Sequence, residues 1–148
     1  AQSFEQSARL LSRVAQQAQN LRDQRIESYA YGVLAELYEQ QQRWAEAQRL
    51  NERALTIAHR DRDLDIAYLW QWHLGRVLKQ QQKWDDAIAA YESAVLALKF
   101  LRNDLVAINQ DVQFSFRKSI EPVYRESMEV LLQAPNAKQR NSNLEKAR

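Results

Sequence analysis

The chain returns to the same pattern every 40 positions, and a period of that size constrains the fold more than any other feature of the sequence. Phe4, Trp44, Trp84 and Tyr124 stand in one register, Ser7, Ala47, Ala87 and Ser127 in a second, and Val14, Ala54, Ala94 and Ala134 in a third. The pairs Arg22-Asp23, Arg62-Asp63 and Arg102-Asn103 recur too, each followed three residues later by Ile26, Ile66 or Val106. A unit repeated at fixed spacing cannot bury its apolar face alone; it does so by stacking on its neighbours. Such stacks make extended surfaces rather than enclosed pockets, which points to holding another polypeptide.

The elements of the stack are helices. Gly and Pro number only two each in 148 residues, so helix interiors meet almost no breakers. Phe4, Ala8, Leu11, Val14, Ala15 and Ala18 mark one buried helical face over residues 2–20. Arg22-Asp23 reads as a turn with Asp23 as N-cap, opening a helix over about 24–41. A turn near Gln42-Arg43 leads to a helix from Trp44 to about His59, and the cycle repeats near 64–81 and 84–101. Asn103 takes the capping register again, and Asn109, Gln110 and Asp111 suggest a loop or a bent first turn before a helix over about 112–120. Pro122 suits the first turn of a following helix that ends at Gln133, before Pro135. The Gln triplets at 40–42 and 80–82 are too short for an interaction tract and mark solvated helix ends. The expectation is an all-α domain over 1–134: a partial repeat at 2–20 and repeats at about 24–60, 64–101 and 104–134. Residues 135–148 are expected to form a polar linker, with Leu144–Arg148 starting a further helix.

Two units resemble tetratricopeptide repeats. Tyr31, Leu34, Ala35, Tyr38, Trp44, Ala47 and Ala54 carry the likeness in the first; Leu74, Gly75, Leu78, Trp84, Ala87, Tyr91 and Ala94 carry it in the second. The small residues Ala35, Gly75, Ala47 and Ala87 allow helices A and B of a unit to approach closely. The resemblance implies a right-handed superhelix of stacked antiparallel helix pairs. The period exceeds the family's usual 34 residues, and the surplus is expected between Leu55 and Tyr68, giving longer helices there. Gln42 and Gln82 stand where the family favours Gly, and Asn51 where a large aromatic is common.

Leu101–Leu132, above all Phe114-Ser115-Phe116-Arg117 and Glu121-Pro122-Val123-Tyr124-Arg125, is similar to the last repeat before the CHAT domain of large bacterial TPR–CHAT proteins. CHAT domains resemble caspase-type cysteine proteases. That resemblance implies a helical region within a larger protein, with any catalytic His and Cys outside these residues. The missing initiator Met and the helical patterns at both ends suit an excised piece.

The tetratricopeptide resemblance further implies that the A helices line a concave face. Transferred by register, Tyr29, Gly32, Glu36 and Glu39 line it in the first unit, Leu69, Trp72, Arg76 and Lys79 in the second, and Val112, Phe116 and Ser119 in the third. Tyr29, Trp72 and Phe116 offer aromatic anchors for a peptide, since such residues dominate interface energetics. A competing reading pairs Glu36 with Arg76 and Glu39 with Lys79 across the repeat boundary, at about 0–1 kcal/mol each, and lays Trp72 over the space at Gly32. Trp44, Trp84 and Tyr124 read as core aromatics between helices A and B, and Trp70 as packing. Gly32 and Glu36 stand where a carboxylate clamp needs Lys and Asn, so no preference for carboxyl-terminal acidic peptides is expected.

Composition narrows the alternatives. With no Cys there is no disulfide, thiolate metal site or cysteine nucleophile, which fits a cytoplasmic location. The 21 basic and 19 acidic residues interleave without the concentrated stripe that nucleic-acid binding needs. No apolar run reaches the roughly 20 residues of a membrane span. His59 and His73 lack metal-ligand spacing, His73 is expected to face solvent, and Asp85-Asp86 suits a helix start. The expectation is therefore a non-enzymatic protein-interaction scaffold without cofactor or metal. The alternative is an intramolecular regulatory segment that holds a downstream CHAT domain inactive. The end at 2–20 lacks a partner helix for Phe4, Leu11 and Val14, which predicts concentration-dependent homodimerisation.

Overall fold

The computed structural model of the chain describes residues 3–105 and 110–135. Six helices follow one another: α1 (Phe4–Asn20), α2 (Gln24–Gln40), α3 (Trp44–Arg60), α4 (Leu64–Gln80), α5 (Trp84–Leu105) and α6 (Gln110–Gln133). No strand occurs among the described residues. Consecutive helices pack as antiparallel pairs, and the pairs stack into an all-α right-handed superhelix.

The first four helices have 17 residues each. Each is joined to the next by the same turn. Its middle residue (Arg22, Gln42, Arg62 or Gln82) is left-handed, with φ between 56° and 60°. The following N–H, of Asp23, Arg43, Asp63 or Lys83, donates back to the carbonyl of Ala18, Tyr38, Ala58 or Leu78 at 2.9–3.0 Å. That is the Schellman closure of a helix C-terminus, with a non-glycine residue accepting the left-handed strain. At the helix starts, Ser3 Oγ accepts from the Gln6 N–H at 3.2 Å, and Asp23 Oδ1 accepts from the Ile26 N–H at 3.1 Å, as its position predicts. The long period is thus two equal steps of helix and turn. The extra length is not confined to the stretch between Leu55 and Tyr68.

The chain departs from its own period after α5. Arg102-Asn103 looks like the earlier turns, yet α5 runs through it to Leu105. Gln110 and Asp111 are helical, and α6 continues unbroken through Pro122, where the sequence suggests two helices. Packing accounts for the difference. Ile120 and Val123, on either side of the proline, are buried against Ala94 and Leu98 of α5. In the preceding unit, Ile66 and Trp70 bury against Ala58 and Ala54. Ile120 and Val123 of α6 bury against the corresponding positions of α5, and that tertiary burial outweighs the proline penalty of about 3 kcal/mol. The expected helix from Leu144 lies outside the described residues.

Small residues set the spacing between helices. Ala35, Ala47, Ala54, Ala87 and Ala94 are fully buried where helices touch. A Cβ on Gly75 would approach Tyr91 Cδ2 to 2.7 Å, so only glycine admits the buried Tyr91 ring. Asn51 holds the register of Tyr91 on α3. It is fully buried, and neither atom of its amide has a hydrogen-bond partner. Trp44 and Tyr124 are half-buried. Trp84, also half-buried, packs against the cluster of Leu74, Leu78 and Tyr91 between α4 and α5.

Candidate functional site

The A helices α2 and α4 lie side by side, and their contact is built around a notch. Gly32 faces Trp70, whose indole fills the volume that a Cβ would take. Trp70 Nε1 donates to Ser28 Oγ at 3.0 Å, and Ser28 Oγ donates to the Ala54 carbonyl at 2.7 Å. Trp70 is therefore a packing residue, as its sequence context suggests. The residue over Gly32 is Trp70 and not Trp72, because the face of α4 toward α2 lies about half a turn from the one that shared register implies.

Polar pairing across the same contact is also displaced by a turn. Arg76 meets Glu39, with Nε 2.5 Å from Oε1 and Nη2 2.9 Å from Oε2, in place of the expected Glu36–Arg76 and Glu39–Lys79 pairs. The Glu39 side chain is only 15% exposed and that of Arg76 30%. Burial works against the Arg76 charge, but the Glu39 hydrogen bonds and the fields of Glu39 and Glu126 outweigh it and raise its pKa. Glu36 faces His73, whose Nδ1 lies 3.2 Å from Oε1 without hydrogen-bond alignment. His73 is buried between Trp70 and Trp72, both rings within 6 Å, and does not face solvent as its sequence position suggests. Desolvation, with Arg76 adding repulsion, pushes it down to about 3, so it is neutral at physiological pH. Desolvation also raises Glu36, against the pull of Arg76.

Trp72 points the other way, toward α6. Its Nε1 donates to Glu126, Arg76 lies 5.6 Å from its ring centroid, and it packs with Phe116 against Ala94, Leu98, Ile120 and Val123. Trp72 and Phe116 thus come together, but both are half-buried at the α4–α6 junction. Tyr29 stands apart from them, 40% exposed and edge-on to Trp70 at 5.5 Å. Of the candidate residues on α2 and α4, Tyr29 is exposed, while Glu36, Glu39, Trp72, Arg76 and Lys79 are all half-buried. Only the backbone of Val112 is described.

A concavity that sequence reasoning does not anticipate lies on the other side, between α3 and α5. It measures about 430 Å³, with Leu55, Leu74 and Leu78 as its apolar floor and Gln48, Glu52, His59, Gln71 and Asp86 around it. His59 Nε2 lies 3.3 Å from Gln71 Nε2. The periodic signal marks it only in part: Glu52 recurs as Glu92 and Asp86 stands in the register of Glu46, but Gln71 occupies the register of Tyr31 and Gln48 that of Ile88. Among the described residues no group of three or more His, Cys, Asp or Glu is placed to hold a metal ion. No helix there is long and apolar enough to cross a membrane.

Comparison with known proteins agrees with this architecture. A family model of the tetratricopeptide repeat matches residues 30–65 and 73–112. No curated protein and no solved structure matches the chain.

Proposed function

The chain belongs to the tetratricopeptide repeat family, and on that premise we propose that it is a protein-interaction scaffold whose A-helix face takes up a peptide or a partner domain. Repeats of this family generally mediate protein–protein interaction. The observation that supports the reading here is the division of labour on α2 and α4. Trp70, His73, Glu39 and Arg76 lock the two helices together and are spent on packing. Tyr29 is exposed beside them, and the half-buried Glu36 and Lys79 take no part in the Glu39–Arg76 pair. One exposed tyrosine, with an acid and a base further along the same pair of helices, suits an extended segment that places an apolar side chain on Tyr29 and carries both charges beyond it.

Selection of binders from a displayed peptide library against immobilised protein tests this. Bound peptides should lose about tenfold or more in affinity for Glu36→Ala/Lys79→Ala, a hot-spot-sized effect. They should keep their affinity for Arg49→Ala/Glu92→Ala, whose positions are exposed on the B helices α3 and α5. The reverse pattern, with circular dichroism unchanged in both variants, would move the binding face off α2 and α4.

A further inference from the structure

The cavity between α3 and α5 lies inside the stack, and each helix around it, with α4 beneath, has a described neighbour on both sides along the chain. Its walls carry two carboxylates, Glu52 from α3 and Asp86 from α5, and no Lys or Arg. Neither acid has an ion-pair partner among the described residues. Gln48 Nε2 donates to Glu52 Oε1 at 2.8 Å, and Gln48 Oε1 accepts from Gln81 Nε2 and Lys83 Nζ, both at 2.9 Å. That arrangement orients Glu52 and engages Lys83 on Gln48 instead of on Asp86. At the floor, Gln71 is 8% exposed; its Nε2 donates to His59 Nε2 at 3.3 Å, and its Oε1 is buried with no donor. A ligand that brings an N–H to such a carbonyl relieves an unmet hydrogen bond.

The preceding unit shows how the chain fills the same gap by itself. One period earlier the walls belong to α1 and α3; Ala89 and Ser93 correspond to Arg49 and Arg53, Gln71 to Tyr31, and Glu52 to Ser12. There Arg53 lies over the Tyr31 ring, 4.2 Å from its centroid. Arg43 pairs at 3.0 Å with Glu46, the counterpart of Asp86, and covers Tyr38 at 4.8 Å and Phe4 at 5.8 Å. Phe4 is itself edge-on to Tyr38 at 5.1 Å, and so does not join Leu11 and Val14 in a free face as its sequence position suggests. Between α3 and α5 this filling is gone. Gln71 and Leu78 replace the two tyrosines, Ser93 replaces Arg53, and Lys83, the counterpart of Arg43, is bound to Gln48. The gap has lost its own cations, kept one acid and gained a second.

We propose that this cavity binds a small aliphatic diamine or polyamine, with one ammonium group held by Glu52 on one wall, a second by Asp86 on the other, and the methylene chain laid on Leu55, Leu74 and Leu78. Ammonium–carboxylate hydrogen bonds are the strong kind, and a methylene chain covers apolar surface while its charged ends stay at the rim. The volume of about 430 Å³ falls in the range of small-molecule sites, about 300–1,000 Å³. A lysine side chain shares the chemistry but brings one cation, where two acids on facing walls call for two. The cavity shares no residue with the proposed Glu36/Lys79 face, and the two readings stand or fall independently.

Calorimetric titration of the full chain with straight-chain diamines of three to six methylenes tests this, at physiological ionic strength so that exposed charges are screened. The best of them should bind one to one, about tenfold or more tighter than hexylamine, which keeps the stem and loses one ammonium. Glu52→Gln and Asp86→Asn, both at exposed positions, should each weaken that binding by about tenfold or more. Ser93→Arg, which restores the cation of the earlier gap at another exposed position, should remove binding and leave the circular dichroism spectrum unchanged. The side-chain amide resonances of Gln71 should shift saturably with the same affinity. No saturable binding of any diamine, equal affinity for hexylamine, or undiminished affinity in Ser93→Arg would overturn the inference. Tighter binding of a lysine-containing peptide than of any diamine would also overturn it, since the cavity would then belong to a single basic side chain of a polypeptide.

Discussion

Gly32→Ala is the substitution whose effect should contradict ordinary helix rules. Glycine inside an exposed helix costs about 1 kcal/mol relative to alanine, so the change alone should stabilise α2. In this fold the new Cβ would fall well inside 3.0 Å of three atoms of the Trp70 indole. That ring is 1% exposed and is pinned to Ser28 by its N–H, so it cannot swing aside. Overpacking of this kind costs about 1–3 kcal/mol. With three ring atoms overlapped we take the upper part of that range, which leaves a net loss of about 1–2 kcal/mol after the propensity gain. Trp70→Ala alone should lose about 3–5 kcal/mol through cavity and transfer terms. In the Trp70→Ala background the obstruction is gone, so Gly32→Ala should now stabilise by about 1 kcal/mol. Urea unfolding of the four proteins, followed at 222 nm, yields the coupling directly, and it should reach about 2–3 kcal/mol. If Gly32→Ala stabilises the parent protein, or if the coupling is within about 0.5 kcal/mol, the notch between the stacked units does not exist.

Other substitutions probe the rest of the frame. Gln42→Gly should raise stability by about 0.5–1 kcal/mol in urea melts, because its φ of 58° strains any residue with a Cβ. Asn51→Leu should stabilise by about 1–3 kcal/mol, since it removes a fully buried amide without partners and keeps the same branching and number of side-chain heavy atoms. His73 makes stability depend on acid. Its folded pKa is lowered to about 3 from 6.5, so the unfolded chain takes up the proton first as pH falls. The contribution is complete above pH 6.5 and is lost toward pH 3, at up to about 1.4 kcal/mol per unit. Glu36, raised by burial, acts in the opposite sense on its own titration. The difference in unfolding free energy between wild type and His73→Leu should therefore shift between pH 7.5 and pH 5 in favour of the variant, and a pH-independent difference would contradict the burial of His73.

The sequence made α1 to α4 legible because each carries the same apolar register and each turn repeats. The identity of α5 and α6 as helices was legible too, but their limits were not. Arg102-Asn103 imitates Arg22-Asp23 and Arg62-Asp63, and nothing local says that α5 runs on through it or that Ile120 and Val123 will pack against Ala94 and Leu98. The candidate face was legible to within one helical turn. Glu39 meets Arg76 across 37 positions, Arg25 meets Asp65 across 40, and Ser28 meets Trp70 across 42. A period read from letters cannot choose among partners three or four residues apart on neighbouring helices. The same limit assigned Trp72 to the space at Gly32 and set Arg76 opposite Glu36. Burial of His73 depends on rings from both sides of its own helix, which no motif announces.

The most direct test of the binding account is the amide spectrum of the protein as a library-selected peptide is titrated in. Shift changes should concentrate at Tyr29, Glu36 and Lys79 and their neighbours on α2 and α4, while Arg49, Glu92 and the other exposed positions of α3 and α5 stay still. Changes confined to α3 and α5, around Gln48, His59 and Asp86, would place the working surface on the opposite side of the stack and contradict the account.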